Sequence, residues 1–189
     1  VVSNRRCALV PYGPVLALPD GSLGVFLYGT GLEFNRQAAH SSFFFVSDDD
    51  GRTWRFRSAV GENANETYGL VLPDGSLLAV SRTDGDEHLE SFLSDDCGRL
   101  WRNSGPVTMG GQHPGHLLLL ADGRVLLTCG IRTRGLRGIG GRFFIPESRR
   151  WDASWVLVDF HGRWEAGYPE NVRMKPDCGY PSSVQMDDG

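Results

Sequence analysis

The sequence predicts an all-β protein built as a β-propeller of four-stranded antiparallel blades. Three observations carry that prediction: a hairpin phrase that recurs, an acidic Gly-Trp turn that recurs between its copies, and few segments with a helical period. The hairpin phrase reads VLALPDGSLGVFLYGTG at 15–31, GLVLPDGSLLAVSRTDG at 69–85, LLLLADGRVLLTCGIRT at 117–133 and SSVQMDDG at 182–189. Each copy is a short apolar run, an Asp-Gly turn and a second apolar run, with Gly taking the positive φ of a tight turn. The acidic turn reads SDDDGRTW at 47–54, SDDCGRLW at 94–101 and, in degraded form, FIPESRRW ending at Trp151.

The spacing of these phrases sets the unit. Trp54, Trp101 and Trp151 stand 47 and 50 residues apart (101 − 54 and 151 − 101). From each Trp to the next Asp-Gly turn the gap is 20, 21 and 37 residues (74 − 54, 122 − 101 and 188 − 151). The third unit therefore carries an insertion of roughly sixteen residues within HGRWEAGYPENVRMKPDC. For the second unit the pattern places strands at about 67–72, 76–82, 89–94 and 102–107. Four short strands repeating at just under fifty residues are the sequence form of a propeller blade. One domain over 1–189 is expected, with blades at about 5–60, 61–108 and 109–172 and the start of another at 173–189. The runs FFFV and LLLL are continuous rather than alternating, which predicts strands covered on both faces by neighbouring blades.

Composition bounds the function classes. The chain has 189 residues, 40% hydrophobic and 22% charged, with a formal net charge of −4. No apolar run has the length of a membrane span, and the charge offers no nucleic-acid footprint. Cys7, Cys97, Cys129 and Cys178 show neither a CxxC nor zinc spacing, so they read as isolated thiols or as one or two disulfides. The chain starts without Met or a signal sequence and holds three blades and part of a fourth, whereas a closed ring needs at least four. It is expected to be part of a longer protein. Exposed blade faces would then make it prone to self-association when isolated. The compartment stays open, with secretion or the periplasm compatible.

Three roles compete for SDDDGRTW. Asp48, Asp50 and Gly51 imitate the start of an EF-hand loop, but Ala59 stands where that loop needs a Glu, and Cys97 replaces Asp50 in the second copy. A catalytic role fails because turns that recur in every blade cannot converge on one pocket. A structural role fits each position: Ser and Asp side chains bond backbone N–H groups, Gly permits the left-handed conformation, and Trp packs on the blade.

The pattern Ser47-x-Asp49-x-Gly51-x-Thr53-Trp54 resembles the Asp-box, the bacterial neuraminidase repeat. The second copy keeps Ser94, Asp96, Gly98 and Trp101 with Leu100 in place of Thr, and the third keeps only Trp151. Two segments, one between the boxes and one farther on, resemble sialidases more closely. NETYGLVLPDGSLLAVSR at 65–82 is similar to the segment in which a Glu opens one strand and an Arg ends the next. DCGYPSSVQMDDG at 177–189 is similar to the segment carrying the catalytic Tyr. The resemblance covers most of the chain and implies the middle-to-late blades of a six-bladed sialidase propeller.

It implies Tyr180 as nucleophile, Glu66 as its base and Arg82 as one ligand of the sugar carboxylate. A carboxylate nucleophile would be repelled by that anion, whereas a neutral phenol deprotonated in place is not, and Arg binds carboxylates by paired hydrogen bonds. For a further arginine the run GIRTRGLRGIGGR offers several. Counting back from Trp151 favours Arg134 with Arg137 beside it, while Arg132 holds the same post-strand place as Arg82, so Arg132 and Arg134 stand level. The family's first Arg and its Asp acid/base belong to early blades, ahead of residue 1, so this stretch alone is expected not to turn over substrate.

Each residue also has a plainer role: Glu66 as a strand-start carboxylate, Tyr180 as a packing aromatic, and the arginines as solvated side chains. Asn65-Glu66-Thr67 is also a glycosylation sequon. His113 and His116 flank Pro114 without a third ligand, so no metal is expected, nor any organic cofactor. His40, His88 and His161 have no partner evident in the sequence. The function expected is part of a retaining exo-sialidase whose partner is an acidic sugar or glycan. The alternatives are a non-catalytic propeller binding carbohydrate or protein, or a hydrolase or lyase of other sugar specificity on the same scaffold.

Overall fold

A computed structural model describes residues 9–30, 39–85, 88–133, 136–159 and 179–187. Among these residues there are thirteen strands and no helix, arranged as three antiparallel sheets in chain order. The first contains β1 (Val10–Ala17), β2 (Leu23–Gly29), β3 (Ser41–Ser47) and β4 (Arg55–Glu62). The second contains β5 (Ala64–Val71), β6 (Leu77–Thr83), β7 (Leu89–Ser94) and β8 (Arg102–Pro106). The third contains β9 (Gln112–Leu119), β10 (Val125–Thr133) and β11 (Leu136–Ile145), with β12 (Arg150–Trp151) and β13 (Trp155–Asp159) both pairing β11. Each sheet is a simple meander, which is the construction of a propeller blade.

The three Asp-Gly turns are built alike. Gly21, Gly75 and Gly123 have φ of 83°, 84° and 86°. Each donates its N–H to the carbonyl three residues back, on Leu18, Leu72 and Leu120. The loop is therefore a turn closed by a left-handed glycine, one residue longer than a two-residue hairpin. The Asp carboxylate caps it by accepting the N–H two residues on, from Ser22, Ser76 and Arg124.

Packing between sheets explains the continuous apolar runs. Along β6, Leu77, Leu78, Ala79 and Val80 are all fully buried. Leu77 and Ala79 join Phe26, Phe44 and Val46 of the first sheet in one core cluster. Leu78 and Val80 join Leu117, Val125 and Leu127 of the third sheet in another. Alternate residues of one strand thus face two different neighbours. Phe43, Phe44 and Val46 are likewise buried, but the leucine run 117–120 is not fully covered. Leu117 is buried while Leu119 is 38% exposed.

The acidic turns join the sheets. Ser47 Oγ donates to Asp49 Oδ1 at 2.7 Å and accepts the Gly51 N–H at 2.8 Å. Asp49 in turn accepts the Thr53 N–H at 2.8 Å and the Thr53 hydroxyl at 2.6 Å. Ser94, Asp96 and Gly98 repeat the first two bonds. Trp101 from the second turn reaches back to the first sheet, with its ring 5.6 Å from Phe26 and 5.5 Å from Phe44 and its indole N–H donated to Ser58 Oγ. The degraded third turn uses charge instead: Arg149 binds Asp95 at 2.6 Å and lies 3.5 Å from Asp74, both in turns that connect strands of the second sheet.

Two local expectations need correction. Strand β5 begins at Ala64, three residues before the predicted start, and it is bulged. Ala64 pairs Thr83 and Thr67 pairs Ser81, so Asn65 and Glu66 together oppose Arg82. The fourth strand of the third sheet is split into β12 and β13. At the break the Asp152 carboxylate accepts the Phe143 N–H and its carbonyl oxygen accepts the Arg142 guanidinium, which interrupts the ladder. Cys97 and Cys129 are free thiols. Cys7, Cys178, His161, Arg134 and the insertion at 161–178 lie outside the described residues.

Candidate active site

Strand β5 packs against β1 on one side and β9 on the other, and the extended stretch 179–187 runs beside the third sheet. Ser183 Oγ is 3.0 Å from Thr128 Oγ1, and Gln185 Oε1 accepts the Ala121 N–H. This packing carries Tyr180 to Glu66 across 114 residues of chain. The Tyr180 hydroxyl donates to Glu66 Oε1 at 2.5 Å. On the other carboxylate oxygen, Arg82 Nη1 donates to Glu66 Oε2 at 3.1 Å. Glu66 is 7% exposed and Tyr180 54% exposed, so the carboxylate sits beneath a phenol that opens to solvent.

Arg132 joins the same cluster. Its guanidinium carbon lies 5.9 Å from the centre of the Tyr180 ring, and Nη2 donates to the Gly179 carbonyl at 3.4 Å. Nη1 is 3.4 Å from Nδ1 of His113, a fully buried residue at the start of β9. The structure thus brings together Tyr180, Glu66, Arg82 and Arg132. Arg137 lies on β11, paired with Arg132 across the ladder.

The electrostatics follow from this geometry. The hydrogen bond to Glu66 pushes the Tyr180 phenol up to about 12, burial and the Glu66 charge adding to it, while Arg132 and Arg82 pull the other way. At neutral pH the phenol is therefore protonated and acts as donor. The two guanidiniums thus stand on either side of the Tyr180–Glu66 bond, Arg82 on the carboxylate and Arg132 by the phenol ring.

Tyr12 and Tyr28 stand close enough to Glu66 to feel its charge, and Tyr68 packs beside Tyr12. The Tyr12 ring on β1 lies 6.1 Å from Tyr180 and 6.4 Å from Tyr68, and Tyr68 packs on His116 at 4.7 Å. Burial, followed by the Glu66 charge, raises the phenols of Tyr12 and Tyr28, and burial alone raises Tyr68. Burial also lowers the His116 imidazole. Sequence reading missed Tyr12 and Tyr28, although the repeat carries a signal for both. Tyr12, Glu66 and Tyr180 each stand eight residues before the Asp of a hairpin turn (20 − 12, 74 − 66 and 188 − 180). Tyr28 and Arg82 each stand eight after one (28 − 20 and 82 − 74).

The histidines also need correction. His40 has a partner: its Nδ1 is 3.0 Å from Asp84 Oδ2. His88 lies 3.6 Å from Glu90. Among the described residues no group of three His, Cys, Asp or Glu side chains is arranged to hold a metal ion. The Asn65 side chain is buried and donates to Asp84, so the sequon is closed to a glycan in the folded chain.

Comparison with known proteins agrees with this architecture. A sialidase of Paraclostridium sordellii is 28% identical over 105 residues, covering 56% of this chain and 26% of that protein. The chain thus spans about a quarter of the length of that curated relative. Among solved structures, the Hadza microbial sialidase Hz136 superposes with a TM-score of 0.60 at 20% identity, over 80% of this chain and 31% of that one. The α-L-arabinofuranosidase Arb93A of Fusarium graminearum superposes with a TM-score of 0.63 at 15% identity, over 82% of this chain and 54% of that one. At those identities the two structures share the fold. The family model described as a BNR repeat-like domain matches residues 9–189, a span that takes in all the described strands and the Tyr-Glu cluster, and the chain belongs to that family.

Proposed function

We propose that this chain supplies the nucleophile half of a retaining glycoside hydrolase acting on terminal sialic acid or a related acidic sugar. The 2.5 Å hydrogen bond from Tyr180 to Glu66 is the observation that carries the reading. Glu66 takes the phenol proton as the Tyr180 oxygen bonds to the anomeric carbon, so free phenolate never accumulates. The glycosidic C–O bond breaks in the same step, and the leaving oxygen takes a proton from an acid that a preceding blade would supply. Water then cleaves the tyrosyl ether, its attack assisted by the acid's conjugate base, and the proton held on Glu66 returns to Tyr180. Arg82 and Arg132 bind the sugar carboxylate and favour the developing negative charge on the phenol oxygen.

Removing the nucleophile tests this reading in the full natural protein. Tyr180→Phe should lower kcat on a fluorogenic sialoside by on the order of 10³-fold; undiminished turnover would refute the nucleophile role. A second reading follows from the fold shared with an arabinofuranosidase. Arabinofuranosides of different linkage therefore belong in the same assay. Turnover of one of them, with none of the sialoside, transfers the Tyr-Glu cluster to another sugar. Saturable sugar binding without turnover of any substrate identifies a binding module.

A further inference from the structure

We propose that Asn65, Asp84 and His40 form a brace that aims Glu66 at Tyr180 and Arg82, which makes Asn65 and Asp84 positioning residues of the site. The starting observation is the bulge in β5. Because Asn65 and Glu66 share one partner across the ladder, the backbone N–H of Glu66 has no place in regular pairing. A buried N–H must find an acceptor elsewhere, and here it donates to Asn65 Oδ1 at 2.7 Å. The Asn65 side chain thus seals the bulge at the residue whose carboxylate meets Tyr180.

The amide end of Asn65 is fixed in turn. Nδ2 donates to Asp84 Oδ1 at 2.6 Å. Asp84 Oδ2 accepts the His40 backbone N–H at 2.7 Å and lies 3.0 Å from His40 Nδ1. The Asp84 N–H donates to the Asn63 carbonyl at 2.8 Å, returning the chain of bonds to the start of β5. On the other side, the Asn65 carbonyl lies 2.6 Å from Thr67 Oγ1, which also touches Ser42 Oγ at 2.6 Å and Ser81 Oγ at 2.8 Å. Asn65 is therefore bonded at its carbonyl and at both ends of its side chain, and its neighbour inherits that fixed geometry. The His40–Asp84 pair is half open to solvent, with the side chains 42% and 26% exposed, so its charge contributes little by itself. Its contribution is to hold the Asp84 carboxylate facing Asn65.

The inference rests on Glu66 and Tyr180 acting as proposed above, but one arm of its test does not. Asn65→Ala and the isosteric Asp84→Asn are made in the full natural protein, with folding checked by circular dichroism. Tyrosines are labelled at 13Cζ, and the Tyr180 signal is assigned as the one lost in Tyr180→Phe. In the parent protein the bond that Tyr180 donates to Glu66 pushes its phenol up to about 12. In both brace variants Glu66 loses its aim, and the Tyr180 titration falls towards the ordinary tyrosine value by on the order of one pH unit. In the sialoside assay kcat falls about 10- to 100-fold while KM stays within about twofold, as expected when a base is misplaced but the sugar still binds. Folded variants whose Tyr180 titration matches the parent overturn the brace. A response of Asn65→Ala alone overturns the parts assigned to Asp84 and His40. Should Asn65→Ala fail to fold, Asp84→Asn, which keeps shape and volume, decides the question. A titration that falls in a protein hydrolysing no glycoside upholds the brace and rejects the glycosidase reading.

Discussion

The bond from Tyr180 to Glu66 sets the sign of a pH dependence that can be measured without substrate. A phenol whose folded-state pKa lies above its unfolded value stabilises the fold fully below pH 10. That contribution is lost as the pH rises towards about 12. Glu66→Gln removes the carboxylate charge, so the Tyr180 titration should move down towards 10, followed by the same 13Cζ signal. An unmoved titration would show that the phenol is held up by burial alone. At this scale the sequence disclosed what a repeat phase can disclose. Glu66, Arg82 and Tyr180 stand at fixed offsets from the hairpin turns, and the structure brings them together with Arg132. Tyr12 and Tyr28 stand at the same offsets but were hidden by their chemistry, because a strand tyrosine has many ordinary uses. Asn65 and Asp84 were hidden for another reason. Their roles depend on one extra residue in β5, and Ala64–Thr67 are all buried, so this stretch has no alternation for a bulge to break.

Among the strands and turns, two glycines separate backbone strain from packing. Gly98, with φ of 78°, closes the second acidic turn, and a Cβ there would lie 2.4 Å from Phe44 Cε1 in the first sheet. Gly98→Ala must accept both the left-handed backbone and the clash, so it should cost on the order of 3 kcal/mol in a urea titration. Gly69 on β5 has no positive φ, but its Cβ would stand 2.5 Å from the Phe26 ring. Gly69→Ala should cost less, about 1–3 kcal/mol, from overpacking alone. Equal costs would mean that the turn conformation contributes nothing. Most strands were legible because a four-residue apolar run between turn signals has few other readings. The split outer strand of the third sheet was not. Its cause is the pair of bonds that Asp152 makes to Phe143 and Arg142 across sequence gaps of nine and ten residues. Nor did the continuous leucine run report its own cover, since burial depends on what packs against each face.

Across the whole molecule, the turn carboxylates act together. Asp49 is held down to about 2 by the Thr53 hydroxyl and N–H and by Ser47. Asp74, Asp95 and Asp122 are lowered by hydrogen bonds from Ser76, Arg149 and Arg124 respectively. Asp20 and Asp96 are lowered too, their bonds to Ser22 and to the Leu100 N–H outweighing the opposing effect of burial. A depressed carboxylate stabilises the fold fully above its unfolded value of 3.8 and loses that contribution as the pH falls through its folded value. The thermal midpoint should therefore be flat down to about pH 4 and then drop. A decline already under way at pH 5 to 6 would point to histidines instead. The propeller class was legible from the repeat because each sheet is one contiguous stretch of chain. That contiguity also orders the folding process. Each meander closes from neighbours in sequence and can consolidate as it leaves the ribosome, whereas Tyr180 meets Glu66 only after 114 further residues. Pulse-labelled hydrogen exchange should find the inner ladders protected first, and a chain stalled late in synthesis would hold its blades with no Tyr-Glu pair between them.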